Sequence, residues 1–377
     1  MKRALVIVIS AALALTCAMP AQAAKRKVPH GFYGVMWNRA GTDADPATRD
    51  SQFALMAKSG VESVRTVFSW AQAQPTAGQP PSFAYTDSVV ALAAAHRVSL
   101  LPVVIYTPFW ARDHPESASS GPKLPSDYSA YVTALIGRYG PKGTFWTDNP
   151  TIPKVPIRTW QIWNEPHFED YWHTEGGERW PDHYTLLLKD AYKKIKQADP
   201  GATVVNTALA SFPWKYLKQI YKSGGAKYMD VVAVNPFTVY PWSVIRGERL
   251  VRKVMKKAKQ GRKPIWITEA TWPSSKGKAP GKERASWQHK WETTPKGMAE
   301  RLRQVFDLVI KRRKAERIGR VYWYTWATKY DGNDLFDYAG LLRWDGTAFA
   351  KTRALAAYTA SARKYQGCRK TAAGRCR

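Results

Sequence analysis

Acidic residues and cysteines are scarce in this sequence. Its 377 residues hold 29 Asp plus Glu against 58 Lys plus Arg, and three Cys, so the formal net charge is +29. The seven His form no His-Glu-x-x-His pair and no Cys/His ligand spacing, and there is no Walker loop or Gly-x-Ser-x-Gly elbow. No metal and no cofactor are therefore expected. A nucleic-acid recognition motif is missing too, so the positive charge is not read as nucleic-acid binding. Past its first residues the chain has no apolar run approaching the ~20 residues of a membrane span, and no Pro/Gly/Ser-rich linker divides it. Aromatics, by contrast, abound: 17 Trp, 19 Tyr and 12 Phe in a chain that is 45% apolar and 23% charged. That much apolar surface excludes a wholly disordered chain.

The N-terminus has the form of an export signal. Lys2 and Arg3 precede an apolar run over residues 4–18, and Ala21-Gln22-Ala23 supplies small residues at the usual cleavage spacing. Residues 1–23 are expected to be a signal peptide, with an uncleaved anchor as the alternative, and the protein is expected outside the cell or on its wall. Cys17 leaves with the signal. Cys368 and Cys376 then remain as an even pair in an oxidising compartment, where a short-loop disulfide pinning the tail is the expectation and two free thiols the alternative.

From residue 24 the chain alternates apolar, β-rich runs with amphipathic stretches. Eight strand candidates stand at residues 31–37, 63–70, 99–106, 157–163, 202–209, 230–237, 264–270 and 320–326. Most are continuous Val/Ile/aromatic runs, as parallel strands covered on both faces require. Helices are expected at 50–60, 85–96, 126–138, 182–198, 214–223, 243–260, 295–313 and 350–365. Eightfold strand-then-helix order predicts an α/β fold, a single (β/α)8 barrel over residues 24–377. The alternative, a doubly wound open sheet, usually carries a Gly-x-Gly-x-x-Gly turn after its first strand, and GFYGVMWNRA has none. The stretches 112–125, 139–156, 271–294 and 327–349 read as elaborated, irregular barrel loops.

Two carboxylates end strands. WQIWNEPHFEDYW (160–172) places Asn164 and Glu165 at the end of the fourth candidate strand, and PIWITEATWPSS (264–275) places Glu269 at the end of the seventh. In a barrel both can project into one cleft at the C-terminal face. Two carboxyls bracketing a cleft are what glycosidic cleavage needs: one protonates the leaving oxygen while the other attacks or stabilises the anomeric carbon.

With those motifs the chain resembles the clan of retaining (β/α)8 glycoside hydrolases that includes endoglucanases, β-xylosidases, β-mannanases and α-L-iduronidases. The resemblance runs over residues 31–365. Arg65 in SVRTVFSW is similar to the clan's strand-two arginine, Asn235 in VNPF takes the place of a frequent histidine, and YWYTW at the eighth strand holds an aromatic platform position, assigned to Trp323. The resemblance implies that Glu165 is the general acid/base and Glu269 the nucleophile. Apolar neighbours of Glu165 (Trp160, Trp163, Pro166, Trp172) should raise its pKa, while Arg65 and a hydroxyl, that of Tyr240, should keep Glu269 ionised. Asn164 is positioned for the sugar 2-hydroxyl, and Trp70 and Trp172 join the candidate sugar-binding residues. Strand seven reads TEAT where the clan more often has Thr-Glu-Phe-Gly.

Tryptophans at strand ends and loops, Trp272, Trp287 and Trp291 among them, suit a groove for a saccharide chain, because indoles stack on the C–H faces of sugars. The positive charge is concentrated: residues 246–263, 311–320 and 363–377 carry nine, six and six Lys/Arg. It is read as an outer face that holds the protein to an anionic wall polymer, with an anionic substrate as the weaker alternative. The expectation is a secreted, monomeric, retaining glycosidase acting on a polysaccharide or oligosaccharide. The alternatives are a non-catalytic glycan-binding barrel and a transglycosidase.

Overall fold

A computed structural model describes residues 25–278 and 285–367. The candidate signal, Cys17, Cys368 and Cys376 lie outside the described residues. Nine parallel strand segments form one sheet: β1 (Tyr33–Met36), β2 (Ser63–Ser69), β3 (Ser99–Ile105), β4 (Thr159–Ile162), β5 (Thr203–Val205), β6 (Leu209–Ala210), β7 (Val232–Asn235), β8 (Ile265–Ala270) and β9 (Ile318–Trp323). Their order is β5-β4-β3-β2-β1-β9-β8-β7-β6. The ends of that series, β5 and β6, are two halves of one interrupted stave, so the sheet closes on itself as an eight-stave barrel. Across the interruption the bridges Asn164↔Ala208 and Val205↔Val231 hold the seam, and the Asn206 side chain accepts from Ala233 N at 2.6 Å in place of a ladder bond.

Eight outer helices cover the staves: α1 (Pro46–Lys58), α2 (Ala84–Ala95), α3 (Pro125–Tyr139), α4 (Trp180–Ala198), α5 (Pro213–Lys222), α6 (Pro241–Lys257), α7 (Pro295–Glu316) and α8 (Arg353–Gln366). Five of them open on proline. The fixed φ of proline suits a first helical turn, whose N–H groups have no intrahelical partner to lose. Asp45, Thr294 and Thr352 cap the starts of α1, α7 and α8.

Two buried layers follow from the period-2 alternation of a strand. Leu101, Val205, Ala233, Trp266 and Tyr322 fill the barrel interior, and the residues between them pack outward against the helices. The interior is tight: a Cβ on Gly34 of β1 would lie 2.3 Å from the Tyr322 ring, so only glycine fits there. The loop at 327–349, read from sequence as irregular, instead holds a small sheet of β10 (Ala327–Thr328), β11 (Leu342–Trp344) and β12 (Phe349–Lys351). Its hairpin turns at Asp345-Gly346, with the Asp345 carboxylate accepting from Thr347 N and Ala348 N and Gly346 at φ 103°. Asp-Gly between strands is a hairpin signal the patterning passed over.

Candidate active site

The C-terminal end of β4 is bent sharply: Trp163 and Glu165 have φ of 68° and 46°, and Tyr106 beyond β3 has 70°. Non-glycine residues enter this left-handed region at a cost, and they cluster where a side chain must be aimed at a site. Here the surroundings impose it. Trp163 N donates to Val104 O at 3.1 Å, Glu165 N to Ala208 O at 3.2 Å, and the Trp163 indole to Tyr171 O at 2.9 Å. Trp172 packs on Trp163 with ring centroids 5.0 Å apart. It passes so close to Gly121 that a Cβ there would come within 2.2 Å of its ring.

Glu269 ends β8, whose register against β9 shifts between Ile267 and Ala270. The irregularity lets the consecutive Thr268 and Glu269 both serve the site. Arg65, buried in β2, organises the floor. Its Nη1 donates to Glu269 Oε1 at 2.5 Å, Nη2 to Asn164 Oδ1 at 2.8 Å and Nε to Gln161 Oε1 at 2.8 Å. Asn235 Nδ2 donates to Glu165 Oε1 at 2.5 Å, and its Oδ1 is fixed by Thr268 Oγ1 at 2.8 Å. With Oδ1 held by Arg65, the Asn164 carboxamide keeps Nδ2 free of any partner among the described residues.

The two carboxyls are thus differently placed. Burial first, then the negative charge of Glu269, push the Glu165 carboxyl up to about 8, against the Asn235 hydrogen bond and the Arg65 charge. Burial also raises Glu269 above its ordinary value, but the charge and hydrogen bond of Arg65, with Asn235, oppose that rise. Arg65 thus favours an ionised Glu269, while burial and that negative charge favour a protonated Glu165. Tyr171, its hydroxyl pushed up by burial and by both carboxylates, stays a neutral donor nearby.

Both carboxyls line a cavity of about 400 Å³, with Asn38, Arg39, Tyr106, Asn164, Asp170, Tyr171 and Tyr324 among its walls. Arg39 ties the wall together: it bonds the Tyr324 hydroxyl at 3.0 Å and pairs with Asp334 at 3.0 Å and Asp337 at 2.6 Å. On the Glu165 side the cavity continues into an apolar lobe of about 600 Å³ walled by Phe168, Phe212, Phe237, Trp287, Trp291 and Phe336.

The structure brings Glu165, Glu269, Arg65, Asn164 and Asn235 together, and it places four other expected residues elsewhere. Trp323 is fully buried outside the barrel wall against Trp272, because it points to the helix layer. Its neighbour Tyr324, on the opposite side of the chain, lines the cavity instead. Trp70 packs in the core against Trp110, Tyr128 and Tyr131. Trp172 supports Trp163 from behind. Tyr240 is exposed and stacked on Trp242 at 5.7 Å, so no Tyr240 hydroxyl reaches Glu269. Of the three tryptophans expected in the groove wall, Trp287 and Trp291 line the lobe and Trp272 is core. His167, beside the motif, is packed on Tyr216 and its pKa is pushed down to about 3 by burial. Tyr171 was legible within NEPHFEDYW. Arg39, Asp334 and Tyr106 had no local signal, since loops bring them in.

A family model described as glycosyl hydrolase family 53 matches residues 153–361, more than half of the chain. The chain belongs to glycosyl hydrolase family 53. No curated protein matches it by sequence. Among solved structures, this family 53 chain is similar to a family 53 catalytic domain from Ignisphaera aggregans (17% identity, 88% of this chain and 96% of that one, TM-score 0.58). A family 39 glycoside hydrolase from Bacteroides cellulosilyticus matches at 16% identity and TM-score 0.63, over 91% of this chain and 65% of that one. A family 39 β-xylosidase from Caulobacter crescentus matches at 17% identity and TM-score 0.62, over 90% and 72%. At such identities the likeness shows a shared (β/α)8 barrel.

Proposed function

We propose that this protein is a secreted, retaining glycosidase that cleaves O-glycosidic bonds by double displacement. Glu165 protonates the leaving oxygen while Glu269 attacks the anomeric carbon. Glu165 then takes a proton from water, which displaces the sugar from Glu269. The observation that carries the reading is that Glu165, bonded by Asn235, and Glu269, bonded by Arg65, line one cavity, where the negative charge of Glu269 raises the Glu165 pKa. Retention calls for the two carboxyl groups to stand ~5–5.5 Å apart, where an inverting pair stands ~6.5–9.5 Å apart to admit a water. The free Asn164 Nδ2 supplies a donor for a sugar hydroxyl beside Glu269.

The glycone is an uncharged sugar. Both arginines of the cavity wall are already paired with carboxylates, Arg65 with Glu269 and Arg39 with Asp334 and Asp337. Among the described lining residues no cation is left for a substrate carboxylate. The aromatic lobe adjoins Glu165, the acid, so it receives the leaving group. Incubation with a panel of activated 2-deoxy-2-fluoro pentosides and hexosides is expected to leave one glycosyl group on the peptide containing Glu269. A panel that labels nothing, or labels another residue, refutes double displacement through Glu269.

The protein is further proposed to be held to an anionic wall polymer by the face of α6 and α7. Arg246, Arg249, Lys253, Lys256 and Lys257 are exposed on α6, and Lys311, Arg312 and Lys314 on α7. Two cations of the run are structural: Arg252 is buried and donates to the carbonyls of Gly261, Lys263 and Glu316, and Lys263 to that of Ala226. Replacing Lys253, Lys256 and Lys257 by Glu is expected to abolish salt-sensitive retention on isolated cell walls while leaving turnover of a small glycoside intact. Unchanged retention would refute the tether.

A further inference from the structure

Beside the cleft, two loops carry convergent side chains that the glycosidase chemistry does not use. The loop after β3 presents His114-Pro115-Glu116, and the loop after β4 presents His173-Thr174-Glu175. They run together: His173 N donates to Ser119 O at 3.1 Å, and Ser120 and His173 form a parallel bridge. One donor atom from each of His114, Glu116, His173 and Glu175 lies within 4.8 Å of the others. His114 Nδ1 is 3.7 Å from Glu116 Oε1 and 3.9 Å from Glu175 Oε2, and His173 Nε2 is 3.0 Å from Glu175 Oε1.

The outer nitrogen of each ring gives the cluster its meaning. His114 Nε2 is bonded to Glu178 Oε2 at 3.0 Å, and His173 Nδ1 is bonded to Glu169. For His114, the carboxylate on Nε2 can keep the proton there and leave the Nδ1 lone pair facing the cluster. His173 meets Glu169 on Nδ1 and Glu175 on Nε2, so a metal ion would displace the Nε2 proton as Glu175 turns to the ion. Metal-ligating histidines are oriented in this way. Glu178 is itself held by Glu175 N at 3.2 Å, so the outer partner of one ring is tied to the loop carrying the other.

We propose that His114, Glu116, His173 and Glu175 bind one divalent transition-metal ion of the zinc class. Two neutral imidazoles and two carboxylates form a four-coordinate N2O2 set, and imidazole nitrogen favours zinc over calcium or magnesium. Metal bonds of ~2.0–2.2 Å require the donors to draw together by about 1 Å. Glu116 and Glu175, with side chains 61% and 57% exposed, are free to make that movement. The ion joins the loop after β3 to the loop after β4. The second of these carries Asp170 and Tyr171 into the catalytic cavity, so the metal fixes one wall of the cleft and takes no part in bond cleavage. The inference does not depend on the retaining mechanism.

The full chain, stripped with a chelator and dialysed, is titrated with zinc chloride by calorimetry, with melting temperature followed in parallel. One site per chain with micromolar or tighter Kd and a raised melting temperature is expected. The double variant His114→Ala/His173→Ala, checked for folding by circular dichroism, should lose at least about 100-fold in affinity. Glu178→Gln, which removes only an outer partner, should lose about 10- to 100-fold. Absence of saturable zinc binding by the folded wild-type chain overturns the proposal. So does unchanged affinity in the double variant, which would place the zinc elsewhere, or equal affinity for calcium.

Discussion

Glu269→Gln is expected to lower kcat/KM by on the order of 10⁵-fold, the scale on which removal of a covalent nucleophile acts. The amide oxygen can still accept from Arg65 Nη1, so the floor of the site keeps its hydrogen bond. It cannot attack carbon, and the glycosyl intermediate does not form. The variant also leaves the Arg65 charge buried beside a neutral partner, and breaking a buried ion pair costs about 3–5 kcal/mol, so loss of activity alone would be ambiguous. Azide rescue of Glu269→Gly removes the ambiguity. Azide enters the space of the missing carboxylate, attacks once, and gives a glycosyl azide of inverted configuration. Failure of rescue in a folded variant, or a retained azide, would contradict the role given to Glu269.

The second large effect is on Glu165, and it depends on the leaving group. Glu165→Gln should lower kcat/KM by about 10²–10⁴-fold for substrates whose leaving oxygen needs protonation, and by far less for activated aryl glycosides. With azide its product should have retained configuration, because Glu269 attacks first. The pH profile provides an independent reading. Glu165 must be protonated to act and its pKa is about 8, so the wild-type kcat/KM falls as pH rises through about 8. Glu269 must be ionised and its pKa is raised, so activity falls on the acid side at a pH above the ordinary carboxylate range. These limbs belong to the interacting pair. The alkaline limb should vanish in Glu165→Gln when an activated aryl glycoside is used. If it persists, another group is the acid.

The same shift has a stability consequence with the opposite sign to a salt-bridged acid. A carboxyl whose pKa is higher folded than unfolded binds its proton more tightly in the native state. Stability is then lost as pH rises from the unfolded value of about 4.5 toward the folded value of about 8. Buried Glu248, also pushed up to about 8 by desolvation, adds to that trend. A protonated Glu165 is thus held at some expense to the fold at higher pH.

How much of this was legible in the sequence follows from the range of each interaction. The eight β-rich runs and the helices between them are local patterns, and each falls within a few residues of an observed element. Asn164-Glu165 and Glu269 were legible because a barrel brings strand ends to one face whatever the loops do. Trp323 against Tyr324 shows where that stops. Adjacent strand residues face opposite sides, and composition cannot tell which side a particular aromatic takes. The break in the fifth stave and the register shift in β8 are similarly set by neighbouring strands.

By itself, the sequence determined the alternation of strand and helix, the two carboxylates at strand ends, and the run of cations on the helices before and after β8, because these are properties of residues close in the chain. The tertiary structure alone decided which carboxyl keeps its proton, since that depends on burial and on Arg65 reaching Glu269 from β2. It also decided which aromatics wall the cleft, and that the two His-x-Glu pairs, distant in sequence, face one another across a single rim. Those outcomes rest on distances between segments that only closure of the barrel sets.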